Sequence, residues 1–131
     1  MLRIIITGTT GYVGEGVLLE CLKSDKVEKV LSVSRKPTGR KHEKLEELII
    51  PNFKDLPEND ERFKGYNACC YCATKSVSGL TEEQYRDITI ETPIHFAKAI
   101  GESDWEDYYD YKNNYYIEFD VSDPDFVWVS Y

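Results

Sequence analysis

At 131 residues the chain holds one domain's worth of material, enough to bury a single core. Its 41% hydrophobic and 31% charged content is ordinary for a globular protein. No stretch approaches the roughly 18 apolar residues needed to cross a bilayer, so no membrane partner is expected. The formal charge of −8 is unevenly placed: residues 1–100 carry 15 acids and 15 bases, whereas residues 101–131 carry nine acids and one base, Lys112. A neutral body with an acidic end speaks against nucleic-acid binding.

The N-terminal run Leu2–Thr7 is continuous, apolar and β-branched, as expected of a strand covered on both faces. A Gly-rich turn follows it at once, so the run reads as a first strand and not as a secretory leader, and a cytoplasmic location is expected. Residues 12–23 place Val13, Val17, Leu18, Cys21 and Leu22 at helical spacing. Strands are expected over 27–35, 45–50 and 64–73. A long helical segment starts near Thr81, where Thr81 and Gln84 have the spacing of a capping box. Pro93 predicts a kink, or a new helix opening at Thr92-Pro93. A fifth strand is expected over 126–130. Strands alternating with helices argue for a parallel sheet flanked by helices.

Composition changes at Gly101. Residues 101–125 hold five of the ten tyrosines and one of the two tryptophans, interleaved with acids, which is too aromatic for a disordered linker. The segment is an atypical acidic aromatic insertion within one domain spanning 1–131, and DYYDYK and YYIEFDV, flanking Asn113-Asn114, suggest a hairpin with a tight turn there. Cys69, Cys70 and Cys72 cluster in an apolar strand and Cys21 lies on the first helix. None of these spacings is a zinc pattern, so they read as small core hydrophobes and no metal is expected.

The turn after the first strand carries the chemistry. In Thr7-Gly8-Thr9-Thr10-Gly11-Tyr12-Val13-Gly14 the glycines form G-x-x-G-x-x-G. Gly8 permits a tight turn, Gly11 lets the backbone approach a pyrophosphate, and Gly14 lets the helix pack closely on the strand. The helix start then offers free N–H groups and the positive end of its dipole to phosphates. The alternative is a purely structural turn. An NAD site has an acid for the ribose 2′-hydroxyl about 20 residues beyond the last glycine. Here that place holds Ser34-Arg35-Lys36. Arg35 can hold a 2′-phosphate by bidentate charge-assisted bonds and Lys36 adds a point charge, which favours NADP(H) over NAD. A merely solvated basic loop, continued by Arg40 and Lys41, is the alternative. His95 reads as a boundary or core histidine. His42, in the basic loop, at most touches a 2′-phosphate.

The TGTTGYVG turn, the SRKP after the second strand, the NFKD after the third and the CCYCAT end of the fourth together resemble an atypical short-chain dehydrogenase/reductase, closest to small NADP-binding, NmrA- and epimerase-like proteins. The resemblance covers residues 1–100 and resumes at DFVWVS. It implies a Rossmann-type three-layer α/β sandwich with a parallel sheet in the order 3-2-1-4-5. Gly8, Thr10, Gly11, Tyr12, Val13 and Gly14 then cradle the pyrophosphate, Thr10 and Tyr12 on the family pattern alone. Asn52, usually Asp in the family, contacts the adenine with Phe53 beside it, and Ala73 and Thr74 line the nicotinamide ribose.

The resemblance also implies a serine or threonine after the fifth strand and a Tyr-x-x-x-Lys on the next helix. Ser130 falls near the serine's place, but no helix follows it. Tyr108 and Lys112 have the spacing, yet precede the fifth strand in a segment without helical periodicity. The expectation is therefore an oxidoreductase-derived NADP(H)-binding domain, not catalytically complete alone. The rival is a non-catalytic nucleotide sensor or interaction module that uses the acidic aromatic segment. An open sheet edge at the fifth strand favours a homodimer or another protein partner.

Overall fold

The computed structural model describes residues 1–72 and 81–100, and beyond them the backbone of three strands, 104–110, 114–120 and 127–130. In chain order the elements are β1 (Leu2–Thr7), α1 (Tyr12–Lys23), β2 (Val27–Ser34), β3 (Leu45–Ile49), 3-10 turns at Phe53–Asp55 and Glu61–Phe63, and β4 (Ala68–Tyr71). The helical arm follows as α2 (Glu82–Arg86), a π-helical segment (Asp87–Glu91) and α3 (Thr92–Ile100), and then come β5 (Asp104–Asp110), β6 (Asn114–Asp120) and β7 (Val127–Ser130). Among the described residues no helix is long and apolar enough to cross a membrane.

The main sheet is parallel, in the order β3-β2-β1-β4-β7. This is the 3-2-1-4-5 order expected, with β7 as the fifth strand. Alternation along the central strands builds two cores. Ile5, Leu31, Val33, Cys69 and Tyr71 lie on one face and meet Phe53, Leu56, Phe63 and, from α3, Phe96 and Ala99. Ile4, Ile6, Val30 and Ala68 lie on the other and meet Leu18 of α1. A strand with a packed layer on each side must be apolar throughout, which is why Ile4, Ile5 and Ile6 are all buried. Phe96 is the hub of the first core, its ring centroid 5.0 Å from Phe53, 5.6 Å from Phe63 and 5.8 Å from Tyr71 in tilted or edge-on geometry.

One local expectation changes, and the new helix expected at Thr92-Pro93 is present with a π segment ahead of it. The fourth strand begins at Ala68, not at residue 64, because Gly65 turns the chain at φ +86°. Asn67 then docks on Arg3 through its backbone N–H (2.9 Å to the Arg3 carbonyl) and its side-chain oxygen (2.9 Å from Arg3 N–H). Pro93 leaves the carbonyl of residue 89 without its i+4 donor, and the arm answers by widening into the π segment before α3 restarts at Thr92. In the β5–β6 hairpin Asp110 pairs with Asn114, so Asn114 opens a strand and the connection spans residues 111–113. Asn113, the other residue of the expected turn, lies outside the described residues. The capping box is present as read: Gln84 N–H donates to Thr81 Oγ1 (3.1 Å) and Thr81 N–H to Gln84 Oε1 (3.0 Å).

Candidate functional site

The site grows from the C-terminal end of β1, which lies between β2 and β4, where connections leave in opposite directions and a crevice opens. Gly8 turns the chain at φ +69°, and Gly11 N–H donates to the Gly8 carbonyl at 3.0 Å. The turn is pinned on both sides. The buried hydroxyls of Thr9 and Ser32 share a 2.7 Å hydrogen bond that ties it to β2, while Cys72 N–H donates to Thr7 Oγ1 at 3.0 Å and ties β1 to the end of β4. Gly11 is the N-cap of α1 and offers no side chain to cap it, so the first-turn N–H groups face the crevice side with their dipole unopposed by a cap. Gly14 is buried against the turn: a Cβ there would stand 1.9 Å from the Gly8 carbonyl oxygen. The backbone cradle exists because that side chain is missing.

A cleft of about 470 Å³ opens above the turn. Gly8, Thr10 and Gly11 form its floor, Arg35 and Lys36 one wall, and Asn52 and Phe53 the next. The structure thus brings together seven of the residues singled out from sequence. Gly14 lies beneath the turn, whereas Tyr12 and Val13 lie outside the cleft, on a shallow groove along the outer face of α1, with Tyr12 97% exposed. Ala73, Thr74 and Lys112 lie outside the described residues. Tyr108 sits in β5 opposite Tyr116, so the Tyr108-x-x-x-Lys112 spacing is not carried on a helix. Ser130 ends β7, in register with Tyr71 at the end of β4.

Sequence reasoning missed six contributors to the cleft: Ser34, Pro51, Tyr71, Cys72, Ile88 and Thr92. Ser34 and Pro51 stand directly before the basic and Asn52–Phe53 positions already singled out, and Tyr71 and Cys72, at the end of β4, directly precede the Ala73–Thr74 pair expected there. Ile88 and Thr92 come from the π segment and the first turn of α3, and the signal that could have found them is Pro93, which fixes where the arm widens.

Charge at the basic wall is uncompensated. Among the described residues neither Arg35 nor Lys36 has an ion-pair partner. Ser34 Oγ donates to the Lys36 carbonyl at 2.6 Å and fixes the bend that exposes both. Arg40 is instead engaged by Glu15 at 3.4 Å. Asn52 Oδ1 caps the next turn by accepting Lys54 N–H at 3.0 Å, which leaves the other lone pair and the amide donors for a ligand. His95 Nε2 is hydrogen-bonded to the Leu56 carbonyl at 2.8 Å, a structural tie as read from sequence.

The four cysteines are free thiols. Burial pushes Cys21 and Cys72 up to about 11 and Cys69 and Cys70 upward as well. They stay protonated at neutral pH, unsuited to nucleophilic work. Among the described residues no group of three His, Cys, Asp or Glu side chains is placed to hold a metal ion.

Residues 4–121 match the NAD dependent epimerase/dehydratase family. A curated relative, leucinostatins biosynthesis cluster protein T of Purpureocillium lilacinum, is 30% identical over 103 residues, which are 76% of this chain and 38% of that protein. Among solved structures, a variant of uronate dehydrogenase from Agrobacterium tumefaciens complexed with NAD is 20% identical, with a TM-score of 0.59 over 76% of this chain and 36% of the other. A short-chain dehydrogenase from Leptospira borgpetersenii with bound NAD+ is 16% identical, with a TM-score of 0.59 over 76% of this chain and 44% of the other. The chain spans less than half the length of each of these proteins, and the two structures speak for the fold. With the family match running from β1 through the Gly-rich turn to β6, the chain belongs to the NAD-dependent epimerase/dehydratase family.

Proposed function

We propose that the chain is an NAD(P)-binding domain of oxidoreductase type that prefers NADP(H). The observation that carries the reading is the pairing of an uncapped helix N-terminus behind a side-chain-free turn with two cations, unpaired among the described residues, that line the same cleft. A pyrophosphate fits the first and a 2′-phosphate the second. Thr10, Gly11 and the first-turn N–H groups of Tyr12, Val13 and Gly14 would hold the pyrophosphate, so Tyr12 and Val13 serve through the backbone while their side chains point away. Arg35 and Lys36 would hold the 2′-phosphate. Asn52 would meet the adenine edge, with Phe53 as the apolar support beneath it. A bound nicotinamide supplies hydride transfer. Ala73 and Thr74 are proposed to follow the cleft wall beyond Cys72, and Ser130, at the end of the neighbouring strand, is the candidate nearest in register for a role in catalysis.

A second reading rests on the β5–β6 ribbon. Its register sets Asp104 opposite Asp120 and Glu106 opposite Glu118. Like charges directly opposed destabilise a ribbon, and a basic protein partner would relieve them. That reading makes the domain a nucleotide-responsive interaction module, with a homodimer or another chain at the β7 edge.

Calorimetric titration with NADPH and NADH tests the first reading. NADPH is expected to bind more tightly. Arg35→Ala removes charge-assisted bonds worth about 1.5–3 kcal/mol, so it weakens NADPH by about 10- to 100-fold and leaves NADH unchanged. Equal loss for both cofactors refutes the 2′-phosphate role, and no binding of either refutes the cofactor reading.

A further inference from the structure

Two walls of the cleft are tied together from behind. Asn52 and Phe53 belong to the 3-10 turn that carries Lys54, and Ile88 and Thr92 belong to the π segment and the start of α3. The Lys54 ammonium is hydrogen-bonded and ion-paired to Asp87, and Glu91 lies 3.9 Å away on the same segment. Arg86 reaches Glu91 at 3.9 Å, extending the network along the arm. The hydrogen bond to Asp87 raises the ammonium pKa of Lys54. Asp87 and Glu91 begin and end the π segment, where the widened turn leaves the backbone less tightly bonded than in an α-helix. Lys54 therefore grips both ends of the one irregular stretch in the arm.

We propose that Lys54 is a positioning residue whose ion pairs with Asp87 and Glu91 latch the Asn52–Phe53 wall to the Ile88–Thr92 wall and set the width of the cleft at the adenine end. The proposal rests on the dinucleotide reading of the cleft. Lys54 itself does not line the cleft. It acts through Asn52, whose side-chain Oδ1 already accepts the Lys54 backbone N–H. The fold does not depend on the latch, because the core ties the same two elements elsewhere: Phe53 against Phe96 at 5.0 Å and His95 to the Leu56 carbonyl at 2.8 Å.

Lys54→Met keeps the aliphatic stem and removes the charge. Two readouts apply: amide hydrogen exchange of the ligand-free chain, and calorimetry with ADP, the half shared by NAD and NADP. The latch predicts faster exchange at residues 52–56 and 87–92 with β1 and α1 unchanged, and ADP binding weakened about fivefold, as for loss of a surface charge network. Lys54→Glu combined with Asp87→Lys recovers both in part, since it restores the pair between positions 54 and 87 but opposes Glu91. Unchanged exchange overturns the latch, and so does faster exchange with unchanged ADP affinity. A wild-type chain that binds neither ADP nor either cofactor overturns the dinucleotide reading and the proposal with it, an outcome distinct from equal ADP binding by wild type and Lys54→Met.

Discussion

Gly14→Ala places a methyl carbon 1.9 Å from the Gly8 carbonyl oxygen, 2.5 Å from its carbonyl carbon and 3.0 Å from the Thr9 nitrogen. Carbon meets such atoms comfortably at about 3.5 Å, so α1 must retreat by roughly 1.5 Å or the Gly8 peptide must rotate. Neither is soft. The turn is held by the Gly11 to Gly8 hydrogen bond and the Thr9–Ser32 bond, and a retreat of α1 loosens Leu18 in the second core. Helix propensity favours alanine by about 1 kcal/mol, while overpacking costs about 1–3 kcal/mol and more where backbone must move. The expected net loss is about 2 kcal/mol, near the upper end of that range less the propensity gain. Gly16, two residues on in the same helix, has nothing within 4 Å of its would-be Cβ, so Gly16→Ala gains about 0.5–1 kcal/mol. Urea unfolding of the three proteins reads the difference as midpoints moving in opposite directions at constant slope. For a chain of this size each kcal/mol moves the thermal midpoint by roughly 3–5 °C. Gly14→Ala as stable as Gly16→Ala, with cofactor binding intact, refutes the reasoning that close helix-on-turn packing makes the cradle.

Asp60 accepts the Arg62 backbone N–H and the Arg62 guanidinium, at 2.6 Å from Nη2, while its side chain is only 6% exposed. The Arg62 guanidinium holds its carboxyl below the usual carboxylate range. A folded pKa below the unfolded one contributes stability above about pH 4 that is lost as pH falls through the folded value. Asp60→Asn therefore costs about 1–2 kcal/mol at pH 7, discounted for the half-exposed Arg62, and flattens the acid limb of the stability curve; parallel acid limbs in the two proteins would show that Asp60 is not the group responsible. Phe96→Ala empties the hub of the first core and costs about 3–5 kcal/mol, read by denaturant unfolding; a loss under about 1 kcal/mol would mean the aromatic cluster is not close-packed. With their thiols near 11, Cys21 and Cys72 are expected to alkylate at pH 7.5 roughly a hundredfold more slowly than an unperturbed thiol. Mass-spectrometric time courses check this, and labelling at the rate of glutathione would contradict the burial of these groups.

What was legible in the amino-acid order is what a few adjacent residues enforce. The three consecutive isoleucines of β1 require a layer on each side, G-x-x-G-x-x-G requires a strand, a tight turn and a closely seated helix, and Thr81 with Gln84 caps a helix through atoms three residues apart. From these and the SRK and NF positions after the second and third strands, Gly8, Thr10, Gly11, Arg35, Lys36, Asn52 and Phe53 could be assigned to one cleft, because every parallel strand delivers its C-terminal loop to the same edge of the sheet. Side-chain direction was not legible there: Tyr12 and Val13 belong to the motif, yet their side chains lie on the outer face of α1, since only their backbone need meet the crevice. The far wall was beyond local reading for a different reason. Which residues of the arm face the cleft depends on the π widening ahead of Pro93 and on Phe96 seating against Phe53, contacts made across more than 40 residues of chain. The same holds for Lys54, whose partners are 33 and 37 positions away, and for the start of β4, which waits on Asn67 meeting Arg3 from the first strand. Short-range sterics write the elements into the chain, but pairings between distant residues depend on how whole layers settle on one another, and that packing chose the final shape of the cleft.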